Sequence, residues 1–168
     1  ASCLVGSEMC IRDSVAVDLS NGFTMETVVR FASVSGEQGI ATFNGPGYMN
    51  IITQATGLRW EVDAGQSMST TPTISTGVWT HITCTWDRET GYAKVYINGN
   101  LAFTSVSKLT CDETTRTSVV EIGTYGGDGV FLNGFVSILK IWQKPLSDAE
   151  VQQEYDTLSV RYSTAPSS

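Results

Sequence analysis

Trp79-Thr80-His81-Ile82-Thr83-Cys84-Thr85-Trp86-Asp87, followed by Ala93-Lys94-Val95-Tyr96-Ile97-Asn98-Gly99-Asn100-Leu101-Ala102-Phe103, decides the fold. Ile82, Cys84 and Trp86 alternate with Thr83 and Thr85, the period of a strand with one apolar face. Asp87 to Gly91 breaks the run with turn-forming residues. Val95 and Ile97 then resume the alternation. Asn98-Gly99 supplies a tight hairpin turn, because both residues tolerate positive φ. Leu101 and Phe103 carry the returning strand. Three strands joined by local turns therefore read directly from the chain.

The same rhythm extends outward. Upstream, Phe23, Met25, Thr27, Val29 and Phe31 share one face of a strand. Gly39–Phe43 and Tyr48–Thr53 read as two more strands, separated by the loop signal Asn44-Gly45-Pro46-Gly47. Leu58, Trp60 and Val62 alternate with Arg59, Glu61 and Asp63. Gly65–Thr76 reads as one weak strand with a turn near Pro72. Downstream, Val119–Gly123 and Gly134–Trp142 flank a glycine-rich loop, Thr124-Tyr125-Gly126-Gly127-Asp128-Gly129. Many short strands at this spacing predict an all-β, two-sheet antiparallel sandwich. One short helix is expected over Asp148–Asp156, where Ser147 and Glu150 form a capping box and Val151 and Tyr155 share a face. Leu158–Tyr162 is expected as a last strand, and Ser163–Ser168 as a frayed tail. No repeat or linker interrupts residues 1–168, which read as one domain.

The chain has 168 residues, 41% of them hydrophobic and only 16% charged, with a net charge of −7. The charged share is below the roughly 25% of ordinary domains, so Ser, Thr and Asn supply much of the polar surface. Nothing resembles the basic patch that neutralises phosphates, which argues against nucleic acid as a partner. No run reaches the ~18 apolar residues of a membrane helix, so membrane insertion is not expected. The four cysteines, Cys3, Cys10, Cys84 and Cys111, suit two disulfides in an oxidising compartment. Three pairings are possible. Proximity in sequence favours Cys3–Cys10 and Cys84–Cys111, and the alternative makes Cys84 a reduced core thiol. A start at Ala1 without Met reads as a processed, secreted product.

Gly77-Val78-Trp79-Thr80-His81-Ile82, Thr85-Trp86-Asp87, Gly91 and Val95-Tyr96-Ile97-Asn98-Gly99 resemble the laminin G-like and pentraxin segment of concanavalin A-like jelly rolls. Glu121-Ile122-Gly123, Phe135-Val136-Ser137-Ile138, Ile141-Trp142 and Pro145 to Val151 resemble the closing strands and terminal helix of that family. Gly22-Phe23-Thr24-Met25-Glu26 resembles its early core strand. The resemblance spans Gly22 to Tyr155 and implies a jelly roll. It says less about function, since this fold hosts lectins, protein-binding modules and glycosidases. The sequence departs from pentraxins in three places, one being Cys84, which stands one position nearer Trp86 than the pentraxin cysteine would. Its early strand lacks the pentraxin cysteine. The segment after Ile122-Gly123 carries one carboxylate, too few for a double-calcium site. A single calcium, held by Asp128 and a backbone carbonyl, is the metal site the resemblance leaves open.

Catalysis is weakly signalled. Glu61-Val62-Asp63-Ala64-Gly65-Gln66 approaches the Glu-x-Asp-x-x-Glu pattern of glycosidases of this fold, but a carboxamide stands where the general acid would be. His81 is the only histidine, has no nucleophile motif beside it, and is read as structural. The tryptophans Trp60, Trp79, Trp86 and Trp142 are read as core. Two loop groups are better ligand candidates: Asn44, Tyr48 and Asn50 around one turn, and Tyr125, Asp128 and Asn133 around the other. Each offers an aromatic ring with amide or carboxylate oxygens on loops held by a rigid sandwich. The expected function is a secreted lectin, a homo-oligomer binding glycans or glycoproteins without catalysis. A laminin G-type protein-recognition domain of a larger protein is the first alternative, and a glycoside hydrolase the second.

Overall fold

The computed structural model describes residues 12–44, 49–54, 57–71, 74–125 and 130–162. Cys3, Cys10, Tyr48, Pro72, Asp128 and the expected tail lie outside them. The strands are β1 (Arg12–Asp18), β2 (Gly22–Phe31), β3 (Gln38–Asn44), β4 (Met49–Gln54), β5 (Gly57–Asp63), β6 (Gln66–Thr70), β7 (Trp79–Asp87), β8 (Ala93–Ile97), β9 (Asn100–Thr104), β10 (Thr115–Ile122), β11 (Thr124–Tyr125), β12 (Val130–Phe131) and β13 (Gly134–Trp142), followed by helix α1 (Asp148–Tyr162). Six strands form one sheet in the order β1-β10-β3-β4-β5-β6, and five form the other as β13-β2-β7-β8-β9. The pairings within both sheets are antiparallel. The expected two-sheet jelly roll is therefore the fold observed.

The deciding hairpin forms as read. Asn98 and Gly99 take φ of 50° and 77°, the left-handed geometry that matches the twist of the flanking strands. Gly99 is required there twice over, because a Cβ would press on Gln152 and Tyr155 of α1. Asn98 also braces β7: its Oδ1 accepts from the His81 amide at 3.0 Å, and its own amide donates to the His81 carbonyl.

The core lies between the sheets. Phe23, Met25, Val29 and Phe31 of β2 meet Trp60 of β5 and Ile82, Cys84 and Trp86 of β7, all buried. Phe23 packs against both Trp60 and Trp86, with ring centroids 5.1 and 6.0 Å apart. Two tryptophans depart from the expected core role. Trp79 and Trp142 are half-buried and sit on the opposite face of the five-stranded sheet, where α1 packs. Alternation explains this: Trp142 pairs across from Thr24 and Trp79 from Arg30, positions on the side of β2 away from the core.

Other expectations need correction. Leu158–Tyr162 continues α1 instead of forming a strand. Leu158 is buried while Val160 is 67% exposed, which suits a helix whose one face meets the sheet. The Ser147–Glu150 capping box starts that helix as expected, with Ser147 Oγ accepting from the Glu150 amide at 3.3 Å. The local bridge Cys84–Cys111 is not formed, and both are free, buried thiols. Cys84 belongs to the inner face of β7, where burial pushes its thiol far up. The Cys111 thiol instead lies beside Arg116, at 3.8 Å. Strand β1 and the early part of β10 were not among the expected strands, and they pair with each other over Arg12–Asp18 and Thr115–Glu121.

Beneath α1, Glu26 of β2 is fully buried. Its carboxylate accepts from Trp142 Nε1 at 3.0 Å, from His81 Nε2 at 3.2 Å and from Lys140 Nζ at 3.4 Å. Burial alone would raise this carboxyl, but the hydrogen bonds from His81 and Trp142 and the charge of Lys140 hold it below its ordinary value. A carboxyl whose folded pKa is depressed stabilises the fold above its unfolded value, here 4.5, and loses that contribution as pH falls through the folded value. Glu26→Ala should cost about 3–5 kcal/mol in denaturant unfolding, because it strands buried donors. Between about pH 5 and pH 3, the wild type should lose more stability than Glu26→Gln, which has no carboxyl to titrate.

Candidate functional site

On the face of the six-stranded sheet away from the core, register lines up one polar residue per strand. Glu121 of β10 pairs with Thr42 of β3, Thr42 with Asn50 of β4, Asn50 with Glu61 of β5, and Glu61 with Ser67 of β6. Their apolar neighbours Phe43, Met49, Trp60 and Val62 turn inward to the core. Sheet faces away from a core are ordinarily wet. Here Thr42 and Asn50 are 0% exposed, Glu121 1% and Glu61 3%. Polar side chains this deep need partners, since an unpaired one costs about 1–3 kcal/mol.

Most of those partners are present. Asn50 Nδ2 donates to Glu61 Oε2 at 2.8 Å, and Arg59 Nη2 donates to Glu61 Oε1 at 2.9 Å. A carboxylate only accepts, so the amide nitrogen of Asn50 must be the atom facing it. That leaves Asn50 Oδ1 buried with no hydrogen-bond partner. Thr124 Oγ1 is likewise buried and unpartnered. Arg59 remains partly accessible, with 25% of its side chain exposed.

At the β3 side of this floor stands the short ribbon of β11 and β12. It lies across β3, where Thr42 Oγ1 donates to the Thr124 carbonyl at 3.1 Å. Gly39 makes this approach possible: a Cβ there would stand 2.1 Å from the Thr124 carbonyl carbon. The Gly123 amide donates to Ile40 O, and Leu132 N to Gly123 O, which fixes the base of the ribbon. Asn133 N donates to Gln38 Oε1 at 2.8 Å and anchors its other end. Tyr125 is half-buried on β11, and Phe131 is 58% exposed on β12. The result is a polar floor with an orphaned acceptor, an orphaned hydroxyl and a reachable guanidinium, beside a ribbon bearing aromatic rings. Such a surface suits a ligand rich in hydroxyls, whose donors and acceptors can be met at fixed positions.

The sequence-derived candidates divide accordingly. Asn50 is in the middle of the floor, not in a loop. Tyr125 is on the ribbon, which replaces the start of the expected glycine-rich loop. Asn133 is exposed at the ribbon's base and acts through its backbone. Asn44 ends β3, with its side chain outside the described residues, as are Tyr48 and Asp128 entirely. Thr42, Arg59, Glu61, Glu121 and Thr124 were missed. Alternation separates Arg59 and Glu61 from the inward Leu58, Trp60 and Val62, and strand register is the signal that gathers them with Asn50. The glycosidase-like pattern does not converge. Glu61 bonds Asn50 and Arg59, Asp63 lies 3.4 Å from Arg116, and Gln66 accepts from the Thr110 amide. Among the described residues no cluster of three or more His, Cys, Asp or Glu could hold a metal ion.

The Gly39 contact generates a test. Gly39→Val should lift the ribbon while leaving the sandwich folded. The Gly123 and Leu132 amides should then exchange with solvent at least about tenfold faster in hydrogen–deuterium exchange, while the amides of β2 and β7 stay protected.

Residues 6–152 match the family described as the concanavalin A-like lectin/glucanases superfamily. Pentraxin-related protein PTX3 of Homo sapiens is 29% identical over 89 residues, covering 48% of this chain and 23% of its own length. The Bos taurus protein of the same name is 28% identical over the same length. The chain thus spans about a quarter of these relatives. Among solved structures, the botulinum neurotoxin type G receptor-binding domain superposes with a TM-score of 0.66 at 18% identity, covering 92% of this chain and 45% of that one. Another, from botulinum neurotoxin type C, whose cell entry depends on interaction with two ganglioside molecules, gives 0.61 at 16% identity over 84% of this chain and 36% of that one. At these identities the likeness is one of fold.

Proposed function

The chain belongs to the concanavalin A-like lectin/glucanases superfamily, and from that membership we propose that it is an extracellular, non-catalytic carbohydrate-binding domain. Its ligand site is the polar floor of the six-stranded sheet, walled by the β11–β12 ribbon. One observation carries the reading: Asn50 Oδ1 is buried and unpartnered while the neighbouring amide nitrogen is held by Glu61. A sugar hydroxyl donating to Asn50 Oδ1 and accepting from Arg59 would satisfy both, with the exposed ring of Phe131 placed to stack on a pyranose face. The likeness to neurotoxin receptor-binding domains, and the dependence of the type C toxin on two ganglioside molecules, support this reading. Catalysis by Glu61 is disfavoured because both its oxygens are engaged, by Asn50 and Arg59. Single sugar sites are weak, so avidity through a symmetric homo-oligomer completes the proposal.

A glycan array followed by calorimetry on the best hit tests this. Thr124→Ala and Arg59→Ala should each weaken binding about tenfold, the loss of one good hydrogen bond, with unfolding midpoints nearly unchanged. Asn50→Ala should abolish binding and also lower stability, since it strands Glu61 Oε2. Binding through this floor should persist in EDTA, because Asn50 and the Arg59 guanidinium already engage both Glu61 oxygens. Light scattering should give a mass above the 18.1 kDa of the monomer. Binding unchanged in all three variants would sink the site.

A second reading rests on the span of the match. This chain aligns with 23% of the pentraxin-related protein, and on the second reading it is a laminin G-type recognition domain of a larger extracellular protein. Binding to glycan-free protein partners, with an empty glycan array, would favour that reading over the first.

A further inference from the structure

The other sheet carries a second cavity, unrelated to the polar floor. It lies between α1 and the outer face of the five-stranded sheet and has a volume of about 260 Å³. Val28 and Leu158 give it aliphatic walls, and Trp79, Tyr155 and Tyr162 give it aromatic ones. The rings are already fixed. Trp79 packs on Tyr162 with centroids 5.3 Å apart, and Tyr162 is tethered through its hydroxyl to Ser137 Oγ at 2.8 Å. His81, Asn98 and Ser159 add polar groups to the lining, and the His81 ring lies 5.7 Å from that of Tyr155.

His81 is 4% exposed, and its two ring nitrogens are unlike. Nε2 faces Glu26 Oε1 at 3.2 Å and Thr83 Oγ1 at 3.4 Å. Nδ1 is buried and has no hydrogen-bond partner. A carboxylate only accepts, so the proton on the ring sits on Nε2. Glu26 faces both Lys140 and His81. A neutral ring with its proton on Nε2 leaves a lone pair on Nδ1, an acceptor with nothing to accept from. Buried acceptors in this state are uncommon and point to an absent donor.

We propose that this cavity is a binding site for a small, neutral, planar ring bearing one O–H or N–H donor, the chemistry of a phenol or an indole. The ring would lie among Trp79, Tyr155 and Tyr162, where offset and edge-on aromatic contacts are favourable. Its donor would meet His81 Nδ1. The volume exceeds the roughly 150 Å³ in which a benzene-sized ligand is known to bind inside a protein. A hydrocarbon of the same shape fills the space but leaves Nδ1 unpaired. A carboxylate offers a second acceptor to an acceptor.

Because His81 is the only histidine, its imidazole nitrogens give one unobscured pair of signals in a ¹⁵N spectrum of the full chain. Titration with phenol and with indole should shift the Nδ1 resonance saturably and leave Nε2 bearing its proton. Toluene should bind about tenfold more weakly or less, since it cannot satisfy the acceptor. Ser159→Phe, placed on the α1 side of the cavity, should fill the space and abolish the shift while the glycan-array profile stays as in the wild type. His81→Gln should lose the preference for phenol over toluene. The proposal is overturned if Nδ1 proves to carry the proton, if toluene binds as well as phenol, or if millimolar phenol leaves both nitrogens unmoved.

Discussion

A carboxylate removed from water must be given donors by the chain itself, and Glu26 is where this fold meets that demand. Its donors come from β7 and from two positions on β13, the strands on either side of its own. Lys140 also reaches Glu154 of α1, in a bond to Oε2. Sheet register and helix docking are therefore coupled through one side chain. A slip of β13 by one residue would turn Trp142 and Lys140 into the core and leave the carboxylate bare. The buried charge adds little net stability over an apolar residue of like volume, but it selects one register and one seat for the helix.

Around that constraint the two sheets serve different ends. Their facing sides are joined by the Phe23, Trp60 and Trp86 cluster, which is apolar throughout. Their outer sides are unlike. One is roofed by a helix whose buried contacts are Val151 and Leu158. The other is roofed in part by a two-stranded ribbon resting on Gly39. Both roofs leave polar atoms beneath them without partners: His81 Nδ1 under the helix, and Asn50 Oδ1 near the ribbon. Thr24, by contrast, is fully engaged: it donates to Lys144 O and accepts from the Leu146 amide.

The fold was legible in the sequence wherever a single strand carries its own pattern. The alternation of β7 and β8, the Asn98-Gly99 turn and the capping box at Ser147 are local signals, and each holds in the structure. The site was legible only in part, for a physical reason. Asn50 could be picked as a hydrogen-bonding residue near a loop, but its importance comes from the Glu61 carboxylate opposite it on another strand. Nothing in the spacing of Asn50 and Glu61 announces that pairing. The same limit hid Glu26, which alternation placed on a polar face without revealing that a helix would cover it. The last turns of α1 were misread because Leu158, Val160 and Tyr162 alternate like a strand, while helical packing buries only the first of them.

The Gly39 contact also bears on how such a recognition surface could change over time. Its ribbon is held by a side chain reduced to a hydrogen atom, a threonine bond to a carbonyl, and a few main-chain bonds at its base. None of these fastenings depends on which residues the ribbon itself displays. Substitutions along it can therefore accumulate without disturbing the hydrophobic interior. The sandwich behaves as a chassis and the ribbon as an exchangeable faceplate, so selection could retune what this surface recognises at small cost to folding.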